Sequence, residues 1–120
     1  IFAAKWAPNM TLAPHNHLMW ALIGLYTGRE DNIFWKQTSQ GLRAGGASAL
    51  FAGDVASLPR DVIHSVTNPL GRFTAGLHIY GGDFFATERS LWNPETLDEE
   101  SSNGERVRAM FAAENAKLRR

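Results

Sequence analysis

Over residues 1–85 the apolar and polar positions fall in short patterned runs punctuated by Gly, Pro and Asn. Residues 2–7 are mainly apolar and stop at Pro8-Asn9, a turn signal. Residues 17–27 form a longer apolar run with Trp20, Leu22, Ile23, Leu25 and Tyr26, ending at Gly28. Its aromatic content and flanking turn residues predict a buried strand rather than a helix. Residues 32–38 read as the next strand, with residues 27–32 (TGREDN) as the hairpin-type connection leading into it. The glycine-rich stretch 41–47 reads as a loop. Residues 54–58, 62–68 and 73–80 are three further strands, each bounded by Gly, Pro or Asn. Many short strands with regular turn signals predict an all-β sandwich or barrel, not a parallel α/β sheet.

After Gly81-Gly82 the pattern changes. Trp92-Asn93-Pro94 marks a turn, and residues 97–104 are polar and acidic and read as a loop. A helix follows within residues 104–119, where Val107, Met110, Phe111 and Leu118 make an apolar stripe. Ser101, Ser102 or Asn103 caps it, Glu105 sits in its first turn, and Lys117, Arg119 and Arg120 complement its last. Such a helix packs on the outside of the barrel or on a partner subunit. Residues 1–120 thus form a single domain, with barrel strands in 1–85 and a C-terminal helix.

Composition narrows the chemistry. Twelve basic residues balance twelve acidic ones, which argues against nucleic acid or a membrane surface as a bulk electrostatic partner. The absence of cysteine excludes disulfides, thiolate ligands and a cysteine nucleophile, and suits a reducing, cytoplasmic compartment. No apolar run approaches the roughly 20 residues that span a bilayer, and no signal peptide is visible. The chain opens on Ile1, directly in strand-like sequence, and reads as trimmed at its N-terminus.

Of four histidines, three fall where a metal-binding barrel needs them. Residues i and i+2 of a strand point the same way, so His15 and His17 aim at a single ion without distorting the backbone. The same parity places His15, His17, Met19, Ala21, Ile23 and Leu25 inward, and Val62, His64 and Val66 inward on a facing strand. Neutral imidazole is a versatile ligand for iron, nickel, copper and zinc. Trp6, Trp20, Trp35 and Trp92 read as packing residues, and exposed tryptophans permit a homodimer. Asn68 fixes a turn before Pro69.

These residues carry a resemblance to the cupin superfamily. Its first motif runs Gly, His-x-His, Glu, Gly; here Asn9 stands at the opening position, and His15-Asn16-His17 is followed by three residues, Ala21, six residues and Gly28. Its second runs Gly, Pro-x-Gly, His, Asn; here it is Gly53, Pro59-Arg60-Asp61, His64 and Asn68 at matching intervals. The resemblance implies a double-stranded β-helix, or jelly-roll barrel, with a divalent metal on His15, His17 and His64. Ala21 replaces the family's Glu ligand and leaves three neutral imidazoles. The ion then keeps its full charge and favours anionic ligands such as a thiolate, carboxylate or enolate.

A three-histidine cupin site is similar to that of the thiol dioxygenases, the cysteine dioxygenase-like group. Their Ser-x-His-x-Tyr segment is matched by Gly76-Leu77-His78-Ile79-Tyr80, with Gly for Ser. The likeness implies Fe(II), with nickel or zinc taken up in a purified sample, and a small thiol-bearing acid oxidised by dioxygen to a sulfinate. His78 would orient the Tyr80 hydroxyl for proton transfer. The crosslinked Cys–Tyr of some members is impossible here, and the family's carboxylate-clamping arginine would precede Ile1. Arg29, Arg43, Arg60 and Arg72 are candidates to bind the carboxylate, and Arg60, four residues before His64, ranks first. Other cupin reactions (C–C cleavage, isomerisation) and a non-catalytic metal- or ligand-binding sensor are the rival readings.

Overall fold

Strands that bury one face need a second layer to bury it against. The computed structural model, which describes residues 1–118, meets that need with two antiparallel sheets. The strands are β1 (Phe2–Trp6), β2 (Thr11–Asn16), β3 (Ala21–Thr27), β4 (Arg29–Thr38), β5 (Gly41–Phe51), β6 (Val55–Leu58), β7 (Ile63–Thr67), β8 (Thr74–Tyr80), β9 (Arg89–Trp92) and β10 (Glu99–Ser102), followed by the helix α1 (Gly104–Lys117). One sheet has the order β1-β8-β3-β6 and the other β10-β9-β2-β7-β4-β5. Two buried clusters join them. Trp6 and Met10 meet Leu12 and Val66, while Ala21, Ile23 and Leu58 meet Phe34 and Leu50.

The expected strands recur with small shifts, and four expectations change. Residues 17–27 are not one strand: β2 ends at Asn16, and β3 begins at Ala21 in the other sheet. Nor is 27–32 a hairpin, since β3 and β4 belong to different sheets and a corner joins them. Gly28 makes that corner at φ 86°, and any Cβ there would collide with Thr74. Residues 41–47 are part of a strand that pairs with β4 along its length, with a bulge between Phe34 and Trp35. It lies at the sheet edge with most side chains exposed, so burial imposes no alternation on it. The polar stretch 97–104 contains β10, which pairs with β9, a strand the apolar pattern did not reveal.

α1 begins where the sequence places it. Asn103 caps it, its side chain accepting from the Arg106 N–H at 2.9 Å. Val107, Met110 and Phe111 pack on the Trp6 cluster, but Leu118 is exposed. Arg119, Arg120 and the end of the expected helix at 119 lie outside the described residues. Trp6 and Trp92 are buried and only Trp20, among the tryptophans, is largely exposed. Among the described residues no helix is long and apolar enough to cross a membrane.

Asn68 locks the turn between β7 and β8 to the turn after β1. Its Nδ2 reaches the carbonyls of Trp6, Ala7 and Arg72 at 2.8–3.2 Å, and its Oδ1 accepts from the Leu70 N–H at 3.1 Å. Replacing it removes its donor contacts to these carbonyls and the acceptor of the Leu70 N–H and the Thr74 hydroxyl. Asn68→Ala is therefore expected to destabilise the fold by about 3 kcal/mol, read as a lowered urea midpoint with an unchanged slope.

Candidate metal centre

Adjacent strands, not facing ones, deliver the histidines. His15 near the end of β2 is the direct cross-strand partner of His64 on β7. His17 lies just past β2, in a turn where Leu18 takes φ 55°, a left-handed conformation unusual for leucine. That turn restores the expected parity: Met19, Ala21, Ile23 and Leu25 are all buried along with His15 and His17. One ring nitrogen from each of His15, His17 and His64 lies within 4.8 Å of the others. The ring centroids are 4.6–5.2 Å apart, and the three residues are 4%, 4% and 1% exposed.

Burial, joined by mutual repulsion and by Arg89, keeps these rings uncharged. It lowers His15 to about 4 against a partial counter-effect from the Ala13 carbonyl, lowers His17 to about 2, and holds His64 well below its ordinary value. A neutral imidazole offers one lone pair, and the hydrogen bonds decide which. His15 Nδ1 donates to the Ala13 carbonyl at 2.8 Å, leaving Nε2 free. Asn32 Nδ2 donates to Glu30 Oε1 at 3.1 Å, so Asn32 turns its Oδ1 to accept from His64 Nδ1 at 2.7 Å. His64 Nε2 is then a buried lone pair with no partner, an orphan that a cation would satisfy. With one ring nitrogen from each histidine within 4.8 Å, and a backbone and an amide support orienting His15 and His64, the cluster fits a divalent metal.

A second pair stands beside them. His78 Nδ1 lies 2.9 Å from the Tyr80 hydroxyl, and Tyr80 is 5.2 Å from His17, centroid to centroid. Burial lowers His78 to about 4 and raises Tyr80 well above its usual value, so both are neutral and one proton sits between them. Gly76, two positions before His78, is glycine for a steric reason. A Cβ there would come within 2.8 Å of the Gly24 carbonyl on the paired strand β3.

All five of these residues line one cavity of about 500 Å³. Arg60 does not: it sits in the exposed turn before β7, 3.3 Å from Asp61, and its side chain is 66% exposed. Arg29 pairs with Asp31, Arg43 bonds Gln40, and Arg72 is exposed; none lines the cavity. The buried arginine is Arg89, 5% exposed, which the sequence reading passed over with the whole of β9. Its guanidinium stacks 4.3 Å above the Phe84 ring, Nη1 donates to the Phe84 carbonyl at 2.7 Å, and Nη2 has no partner. Glu30 and Asn32 were missed as well, because TGREDN resembles a solvated turn. Once 29–38 is read as a strand, period two puts Glu30, Asn32 and Phe34 on one inward face. Burial raises Glu30 to about 6 against the opposing Asn32 bond, and its Oε2 is unpartnered.

No family model matches the chain. Solved structures do. A cupin 2 conserved barrel domain protein from Salinispora arenicola superposes with TM-score 0.53 at 23% identity over 65% of this chain and 58% of its own. The fold is a cupin double-stranded β-helix. A Klebsiella pneumoniae protein with a double-stranded β-helix domain matches 84% of this chain and 71% of its own, with TM-score 0.51 and 15% identity. A cupin-superfamily sugar phosphate isomerase from Silicibacter pomeroyi matches 86% and 66%, with TM-score 0.56 and 12% identity. The chain spans less than two thirds of the Salinispora cupin, 58%.

Two measurements test the site. Asn32→Leu removes the acceptor that orients His64, and is expected to weaken zinc or iron binding by about 10–100-fold in a chelator competition, with unchanged circular dichroism. The second is pH. The four buried histidines bind protons below their unfolded value of 6.5 in the folded chain, so the unfolded state holds more protons below that value. Glu30, shifted from 4.5 to about 6, acts the other way, but a single carboxyl does not offset four imidazoles. The metal-free protein should lose stability as pH falls from about 6.5 towards 4, by up to about 1.4 kcal/mol per pH unit for each histidine. A melting temperature that stays level down to pH ~5 would contradict neutral burial.

Proposed function

We propose that this cupin is a metal-dependent dioxygenase that oxidises a thiol-bearing acid to a sulfinate, with a divalent ion, most consistently Fe(II), on His15, His17 and His64. The observation that carries the reading is a ligand set of three neutral imidazoles with Ala21, fully buried, where a carboxylate ligand would otherwise stand. Such a set leaves the ion's charge uncompensated and draws an anionic sulfur. The reaction balances as one thiol plus one dioxygen giving one sulfinic acid, sulfur losing the four electrons that oxygen gains. Fe(II), when bound, supplies the electron exchange with dioxygen.

The chain's own residues handle position and protons. His78 and Tyr80 share a proton across 2.9 Å beside His17, which fixes the Tyr80 hydroxyl where it can hydrogen-bond a substrate at the cluster. Arg89 stands behind the Phe84 ring, outside the cavity lining, and its cation acts on the site through the field it sets at His15, His17 and Tyr80. The apolar walls limit water at the reacting centre. The partners on this reading are a small-molecule substrate and dioxygen, and the cysteine-free chain suits the cytoplasm.

Glu30 favours a second reading. A carboxyl raised to about 6 and lining the cavity is suited to lift a proton next to a carbonyl, as in isomerisation. The two separate cleanly. Iron-reconstituted protein should consume oxygen stoichiometrically with a thiol acid and yield the sulfinate. Silence across a panel of thiol acids, with solvent deuterium entering a sugar phosphate, would replace this reading with the second.

A further inference from the structure

The cavity is larger than a small thiol acid needs. A volume of about 500 Å³ lies within the range that encloses drug-sized ligands. A three-carbon thiol acid has about seven non-hydrogen atoms, and at the ~30 Å³ share of a liquid water each it leaves more than half of the space free.

The remaining walls are mainly apolar, with Lys5, Glu30, Arg108 and Asn115 as their polar members. From His17 an aromatic series leads away through Tyr80 at 5.2 Å, Phe84 at 4.4 Å from Tyr80, and Phe2 at 5.1 Å from Phe84. Val107 and Phe111 of α1 close the same cavity, with Phe111 edge-on to Trp6 at 4.7 Å. Trp6 also lines it, is 2% exposed, and its Nε1–H has no acceptor. A buried indole N–H ordinarily has one. A mainly apolar chamber continuous with the metal cluster, with the Trp6 indole as an orphan donor at its far side, specifies both a shape and a functional group.

We propose that the chamber between β1, the Phe84 segment and α1 binds the body of an elongated, mainly apolar ligand. Its acidic head lies at the histidines, and a carbonyl or ether oxygen along its length meets Trp6 Nε1. The proposal rests on the cavity being the substrate site, and it narrows the substrate from a small thiol-bearing acid to a long-chain or aryl-bearing one.

Calorimetry on the zinc-loaded protein with straight-chain carboxylates from butanoate to decanoate tests this. No thiol is present and zinc is redox-inert, so the outcome is separate from any failure of thiol oxidation. Affinity should rise about three- to fourfold per added methylene and then level off as the chamber fills. Val107→Phe should abolish that gain while leaving butanoate affinity and zinc content as they were. At least one oxo-octanoate should bind about fivefold tighter than octanoate, and Trp6→Phe should erase the difference. Affinity independent of length, or a Val107→Phe loss equal at all lengths, overturns the chamber. No gain from any oxo position overturns the assignment of Trp6.

Discussion

Keeping three imidazoles uncharged and close together is the constraint on which the site depends. Protonated, they would repel one another at ring separations of 4.6–5.2 Å inside a dry core. Neutral, each needs one nitrogen satisfied as a donor and one left as a lone pair. The fold meets this with acceptors fixed for His15 and His64: a backbone carbonyl, and an amide oriented by Glu30. The bulge between Leu12 and His15 and the left-handed Leu18 serve the same end, delivering two side chains of one short segment to a single point.

Period-two reasoning recovered much of this. It correctly put His15, His17, Met19, Ala21, Ile23 and Leu25 inside although the chain turns between His17 and Ala21, because the tight turn conserves the alternation. The spacing of Gly53, Pro59, His64 and Asn68 likewise placed β7 and its turns. What escaped was whatever burial does not pattern. β5 is an exposed edge whose order comes from backbone bonds to β4, and β9 and β10 are too short to show a rhythm. Arg60 looked well placed only in sequence; the turn that brings the chain into β7 carries it to solvent.

The departures from the cupin and thiol dioxygenase patterns are physically coupled. Ala21 pairs directly with Tyr80 across β3 and β8, and Tyr80 packs on the cluster that Ala21 belongs to. A glutamate at 21 would compete with the Tyr80 ring for that space. Gly76, on the same strand as Tyr80, lets β8 lie against the backbone of β3 at a distance that no serine permits. Ala21 and Gly76, where the resembled patterns have a carboxylate and a serine, thus accompany one close strand pairing, and that pairing sets the tyrosine beside the histidines.

Glu30 and Arg89 complete the electrostatics in an instructive way. Both are buried, both leave one polar atom without a partner, and among the described residues they form no ion pair with each other. For folding alone this is a poor arrangement, since isolated buried charges cost several kcal/mol. Pairing them, or replacing both with apolar residues, would be cheaper. Glu30 lines the cavity beside the histidine triad, while Arg89 is held behind the Phe84 ring, outside the lining, where it acts on the rings through its charge. That arrangement makes sense when something polar at one end enters the space, and the aromatic walls beyond Tyr80 suit an apolar remainder.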